Sequence, residues 1–402
     1  MATNTLLTIN KITQEAQRVL HEKLNFISNI NTQYDGQFAV QGAKIGDSIR
    51  IRLPARFTTR KDSSTFTATN YVEQSSTLQL NHKYGIDLNF TADDLALSMD
   101  DFSSRVIEPA MAQLAADVEA VVLADAIVTG GAIYTSGTGG STYLDWAKAG
   151  ALLDYRAAPK GNGRSALLDP MGQATIVDSL KGSLQPSAEI SKQYLEGAMG
   201  RAAGFDWYSN TKLPTIAIGA DVAGATTSAV TVDGATSLVC DSFANAQVIK
   251  KGTAITVADC YDVNYETKGT LGFLKSFIVT ADVTCTTAGV ATLSVLPIYF
   301  TNKGRQNVSA FPGSGKVVTI LGEANTVQQV KLAFAKDFMV FATADLILPK
   351  GVEAASRSNY EGISVRMVKV YNQADDSVDT RFDILFGSKV IRPELAVSVL
   401  SR

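Results

Sequence analysis

Few residues in this chain of 402 amino acids could do chemistry, and their spacing argues against it. Only two histidines occur, His21 and His82, far apart in sequence. His82 falls on the apolar side of an alternating run, where an imidazole is more readily a hydrogen-bonded structural group than a base. No His-Glu-x-x-His, Gly-x-Ser-x-Gly or clustered Cys/His set is present, so neither a metal site nor an activated nucleophile is expected. Cys240, Cys260 and Cys285 form an odd set without a Cys-x-x-Cys pair and are expected to stay reduced. Pro312-Gly-Ser-Gly-Lys316 has the look of a phosphate loop. Ala310, however, stands where that loop needs a glycine, and Val317 where magnesium needs a hydroxyl. A loop between strands is the expectation. The neighbours Asp93-Asp94, Asp100-Asp101 and Asp375-Asp376 point apart in regular structure and suit helix starts and turns. No catalytic residue, cofactor, metal or small-molecule substrate follows, and the chain does not read as an enzyme.

One cluster of charge remains. Arg50, Arg52, Arg56, Arg60 and Lys61 lie close together in sequence and could touch phosphates. Phe57 and Phe66 are the only aromatic residues near them for stacking, and 36 basic against 39 acidic residues give a net charge of −3. Contact with acidic protein is therefore expected before contact with nucleic acid. The N-terminus lacks the basic and apolar regions of a signal peptide. Asp117, Glu119 and Asp125 interrupt the greasiest segment, so no membrane span is expected. Together with the reduced cysteines, this reads as a soluble intracellular protein.

Positioning falls to the elements around that cluster. Ile107, Met111, Leu114, Val118 and Val121 recur at steps of four and three, which predicts a long spine helix over 103–129. Ser103 or Ser104 would cap it, Gly130-Gly131 would stop it, and Pro109 would bend it or mark its true beginning. Thr8–Leu24 reads as an amphipathic helix with Ile9, Ile12, Ala16, Val19 and Leu20 on one side. A polar run after it suggests an arm that needs a partner. Ile49, Ile51 and Leu53 alternate with Arg50 and Arg52. Leu78, Leu80, Tyr84, Ile86, Leu88 and Phe90 then alternate with polar residues. Two such runs around a polar span describe an extended β-hairpin whose tip has no core of its own.

Beyond Tyr143, a helix to Arg156, a strand at Ser165–Leu168 and helices at Met171–Leu180 and Ala188–Glu196 suggest an α/β lobe. Composition shifts near Gly219. Short strands at Ala229–Val232, Ala254–Val257, Phe277–Val283 and Ala291–Leu296, with turns at Asp233-Gly234, Lys251-Gly252 and Ala288-Gly289, predict a small all-β barrel or sandwich. Strands at Phe338–Leu348, Ile363–Tyr371 and Arg381–Phe386 follow, the last two as a hairpin. The fold class expected is α+β, with an all-β domain inserted at 220–326.

Gly200-Arg-Ala-Ala-Gly-Phe-Asp-Trp-Tyr-Ser-Asn-Thr-Lys-Leu-Pro214 resembles a segment of tailed-phage major capsid proteins with the HK97-like fold. Leu80–Asp94 and Ile391-Arg-Pro-Glu-Leu-Ala396 look like the short-tailed (podovirus) branch, whose coat carries an inserted domain. The order of parts matches throughout: N-terminal arm at 1–35, extended loop at 36–76, peripheral domain with the spine helix at 77–142, central lobe at 143–219, insertion at 220–326, and the lobe completed at 327–402.

The resemblance implies a major capsid protein that self-assembles into hexamers and pentamers of an icosahedral head around double-stranded DNA. It implies a scaffolded procapsid that expands, assembly in the host bacterial cytoplasm, a scaffolding protein and a portal as partners, and a location in the virion. The basic residues of the extended loop would then lie at a subunit interface. A cellular nanocompartment shell of the same fold, and a glycan-binding or adhesive protein using Tyr261, Tyr265 and Phe273, are the alternatives. Two departures stand out. Some relatives carry a strongly charged loop in the insertion, whereas Thr227–Gln247 is short and holds few charges beyond Asp233 and Asp241. Others cross-link a loop lysine to an asparagine, and no asparagine partner or carboxylate is marked for Lys61. Denaturing gels of mature particles are thus expected to show single chains, and a ladder of covalent multimers would refute that.

Overall fold

The computed structural model describes residues 9–32, 48–54, 56–57, 74–91, 106–136, 141–161, 163–179, 201–220, 222–360, 363–373 and 377–402. The chain divides into two compact units, each gathered from separated stretches. The first comprises Met1–Arg52, Ser75–Asp125 and Met339–Lys389; the second comprises Leu53–Gln74, Ala126–Phe338 and Val390–Arg402.

In the first unit, Met339–Ala344, Ser377–Val390, Ile363–Asn372 and Ala354–Tyr360 lie side by side, and His82–Thr91 pairs with Ser377–Val390. Ile363–Asn372 and Ser377–Val390 pair antiparallel, as alternation led one to expect. Helix α1 (Ile9–Lys23) packs across Ala354–Tyr360 and Ile363–Asn372 and buries Ala16, Val19 and Leu20. Gln17 Nε2 donates to the Ile363 carbonyl at 2.7 Å, and Thr13 Oγ1 reaches Met367 Sδ at 3.6 Å. The stripe expected to seek a partner elsewhere is thus covered by the chain's own sheet. Residues 1–8 and 33–35 of the expected arm fall outside the described residues.

Helix α2 runs from Glu108 to Ala126, shorter than the 103–129 expected. At 1.5 Å per residue its 19 residues span about 28 Å. Pro109 is its second residue, a position where a missing N–H costs nothing. The proline therefore sits in the first turn of the α-helix, directly after a π-helical turn at residues 106–107. Ser103 and Ser104 lie outside the described residues. Ile107, Met111, Leu114 and Val118 are buried as the spacing predicts, but so are Ala115, Glu119, Val122 and Leu123. Burial reaches beyond one stripe, and Glu119 accepts the Phe26 N–H at 2.5 Å.

Two large sheets share the second unit with a two-stranded one, Val248–Ile249 paired with Val283–Thr284. One is mixed, ordered Ala132–Thr135, Ala396–Ser401, Val327–Ala335, Arg164–Leu168, Phe205–Ser209 and Arg201–Ala202, with Thr215–Ala217 also on Val327–Ala335. Helices α3 (Tyr143–Tyr155) and α4 (Pro170–Ser179) match the sequence reading closely. Thr142 donates both its N–H and its hydroxyl to Asp145, which closes the capping box that opens α3. The helix expected at Ala188–Glu196 lies outside the described residues. The central strand Val327–Ala335 and its neighbour Ala396–Ser401 were not foreseen. Both are buried on each face, so they lack the alternation that reveals a half-exposed strand.

The other sheet is built wholly from residues 223–320, in the order Thr270–Ile278, Ala254–Val263, Val317–Ile320, Ala223–Thr227, Ala235–Asp241 and Ala291–Ile298. Thr280 N–H donates to the Ser294 carbonyl at 2.8 Å, and Val279 bridges Val295, so the two edge strands meet. The sheet closes on itself, which removes its open edges. Residues 229–232 are not a strand, contrary to expectation; they join strands on either side and lead to the Gly234 turn, whose φ is +82°. Pro312–Lys316 is a connection between strands, as the failed phosphate-loop match implied, and Lys316 Nζ meets Asp259 at 2.7 Å.

Candidate subunit interface

Arg50 and Arg52 stand on a strand that sequence alternation describes well. Ser48–Arg52 pairs antiparallel with Ser75–Gln79, and its burial alternates so that Ile49 and Ile51 are covered while Arg50 and Arg52 are exposed. Ile49 faces Leu78 across the pair, and both are buried. Arg50 Nε donates to Ser75 Oγ at 2.8 Å. This is the stem of the expected hairpin. The second run is not one strand: Ser75–Gln79 and His82–Thr91 belong to different sheets, with the break at Leu80-Asn81. Gly387 makes the crossing possible, because a Cβ there would sit 2.1 Å from the Gln79 carbonyl oxygen. His82 stacks on Phe386 at 5.4 Å between centroids, a structural role.

Arg56 behaves differently from its neighbours. Its guanidinium meets Glu394 at 2.7 Å and lies 5.5 Å from the centre of the Tyr265 ring. Arg392 shares Glu394 at 3.3 Å. Arg56 is thus engaged within its own chain, where sequence alone placed it with the outward charges. Arg60 and Lys61 lie outside the described residues, so three of the expected five are seen: Arg50 and Arg52 on the strand and Arg56 on Glu394.

Around Arg56 the second unit holds a cleft of ≈ 350 Å³. Phe277, Ile278, Leu296 and Pro297 give it an apolar lining, and Arg56, Lys275, Arg305 and Arg392 bring positive charge. Lys275 reaches back to the buried Asp262, as does Arg156, each at 3.1 Å. Burial alone would raise the Asp262 pKa, but Lys275 and Arg156 outweigh it and hold the carboxyl below its usual range. Lys268, beside Tyr265, is driven down to about 8 by burial and then by the charge of Arg56. Gly130 and Gly131, read from sequence as a helix stop, serve this region through close approach. A Cβ on Gly130 would lie 2.6 Å from the Pro393 carbonyl oxygen, and one on Gly131 would lie 2.3 Å from Arg156 Nη2.

The Gly200–Pro214 segment has a structural explanation where it is described. Arg201–Ala202 pairs with Phe205–Ser209 around a two-residue turn. Ala203 and Gly204 both have positive φ, +53° and +82°, as a type I′ hairpin requires. Phe205 is fully buried against Trp146, and Asn210 Oδ1 receives the Lys212 N–H at 2.8 Å. None of these groups is arranged for catalysis. Among the described residues no group of three or more His, Cys, Asp and Glu could hold a metal, and no helix is long and apolar enough to cross a membrane. Cys240, Cys260 and Cys285 are buried and form no disulfide, and burial drives Cys240 and Cys260 up to about 12.

Residues 1–400 match the family described as P22 coat protein, gene protein 5. The chain belongs to that family. No curated protein is similar enough to match. Among solved structures, the capsid of Ralstonia phage GP4 is 8% identical, with 89% of this chain and 84% of that one covered at a TM-score of 0.46. The acid-stable capsid of Helicobacter pylori bacteriophage KHP30 is 10% identical, covering 92% and 86% at 0.45. The capsid of the cyanophage P-SCSP1u is 13% identical, covering 90% and 85% at 0.44.

The coat protein is a major capsid protein of a phage head, with an HK97-like α+β fold, a structural role rather than an enzymatic one, and a place in the virion. It self-assembles into a shell.

Proposed function

We propose that the coat protein builds hexamers and pentamers of an icosahedral head around double-stranded DNA, through a scaffolded procapsid that later expands. The observation that carries this reading is the stem of the extended loop. Ile49, Ile51 and Leu78 anchor it inside the first unit, while Arg50 and Arg52 are left facing outward. The polar span that follows this stem has few apolar residues of its own, and the loop finds its burial on a neighbouring copy. Arg50, Arg52, Arg60 and Lys61 meet acidic side chains there, and Arg56 fixes the base of the loop through Glu394.

Residues 220–326 act as an inserted domain that steadies the subunit, and residues 1–35 meet the internal scaffold. A scaffolding protein and a portal complete the assembly in the host cytoplasm. A chain with net charge −3 coats the packaged DNA without gripping it. Weak contacts, repeated around each ring, multiply through effective concentration and let misplaced subunits leave.

Negative-stain microscopy of the protein expressed with and without a co-expressed scaffold tests this reading. Closed heads of one size with scaffold, and aberrant or no particles without it, are expected. The double variant R50E/R52E should keep the monomer's unfolding curve and lower the yield of closed heads at least tenfold, because each ring repeats the lost contacts. Heads of normal size and yield from R50E/R52E would remove the loop from the interface.

A further inference from the structure

The loop from Tyr299 to Asn307 is held unusually firmly for a surface connection. Asp233 accepts N–H groups from Phe300, Thr301 and Asn302, and the Thr301 hydroxyl as well. Asn307 donates through Nδ2 to the Pro297 carbonyl at 2.8 Å and accepts the Tyr299 N–H at 2.9 Å. Lys268 Nζ donates to the carbonyls of Gly304 and Gln306 at 3.3 and 3.5 Å. These bonds fix Arg305 at the cleft, its guanidinium 5.7 Å from the centre of the Tyr299 ring.

The charges around this cleft do not balance. Arg56 and Arg392 share Glu394, and Arg156 and Lys275 share Asp262. Arg305 and Lys268 have no carboxylate partner among the described residues. An arginine held in place, half-buried and short of an anion is prepared for one arriving from outside.

We propose that this cleft receives a carboxylate side chain from a second copy of the coat protein, with Arg305 as the residue that binds it. A space of ≈ 350 Å³ takes an acidic side chain with its apolar stem against Phe277, Ile278 and Leu296. Each copy carries 39 acidic residues from which such a side chain can come. This rests on the proposed assembly of heads from identical copies, and it adds a second contact to the one proposed for the loop stem.

The test uses the full chain. R305A should leave the monomer's melting temperature unchanged and raise the concentration needed for shell formation roughly tenfold, while R305K restores assembly. In shells of R305K treated with a carbodiimide, the amine at position 305 should join an acidic peptide of another subunit, a product absent from treated monomers. Wild-type chains that form no heads would undo the assembly reading itself. Wild-type heads accompanied by normal R305A assembly would overturn only the cleft contact. A matching loss of R305A monomer stability would overturn it too, as would a melting shift that inorganic phosphate gives wild type but not R305A. Normal shells that merely retain less DNA would do the same.

Discussion

Exchanging Asp262 for asparagine lowers the stability of the folded coat protein by about 3–5 kcal/mol, the cost of breaking a buried ion pair from one side. Asp262 is 2% exposed and is the shared anion of Arg156 and Lys275, themselves 3% and 4% exposed. Without it, two buried cations face each other with nothing between them. Arg156 is the worse placed, since its Nε and Nη1 already lack partners among the described residues. Asparagine fills the same space, so the loss is electrostatic and not a cavity effect. Urea unfolding of the monomer, followed by tryptophan fluorescence, measures it. A D262N midpoint equal to that of wild type would sink the argument.

The same pair sets a pH dependence. The folded-state pKa of Asp262 lies below its unfolded value, so its stabilisation is complete above about pH 4, the ordinary range of an aspartate, and is lost as pH falls below that. Wild type should therefore lose its advantage over D262N in acid and keep it at neutral pH.

The second large effect is expected at Gly387. Alanine there pushes its Cβ against backbone, 2.1 Å from the Gln79 oxygen and 3.0 Å from the Gln79 carbon, and a carbonyl in a strand has little room to yield. Overpacking of this kind costs about 1–3 kcal/mol. The more telling result is on assembly. Gln79 ends the strand that pairs with Ser48–Arg52, so displacing it shifts the stem that presents Arg50 and Arg52. G387A is expected to fold with a lowered urea midpoint and to give few closed heads in the microscope. G272A is the control, because nothing lies within 4 Å of a Cβ at that position and heads should form normally. Equal head yields from the two variants would show that the crossing at Gly387 does not hold the stem.

Much of the fold was legible because its signals are local. Thr142 and Asp145 announce the start of α3, alternation places the stem of the extended loop, and turns at Gly234, Gly252 and Gly289 separate strands of the closed sheet. The motif ending at Pro214 pointed to the coat family although its visible work is a type I′ turn, a buried phenylalanine and an Asx bond. Other elements gave no such sign. Val327–Ala335 and Ala396–Ser401 are covered on both sides, so no period of two survives in their sequence.

What the sequence by itself determined was the α+β class and the membership of a capsid family, because composition, periodicity and turn chemistry act between near neighbours. Tertiary structure alone decided which charges are satisfied. Arg56 and Glu394 are separated by most of the chain, as are Arg156 and Asp262 by a helix, two sheets' worth of strands and several turns, yet both pairs meet within hydrogen-bonding range. It also decided that α1 lies on its own sheet and that Gly130, Gly131 and Gly387 are needed for close approach. Those outcomes depend on which distant segments share a few ångströms of space, and no local pattern encodes that distance.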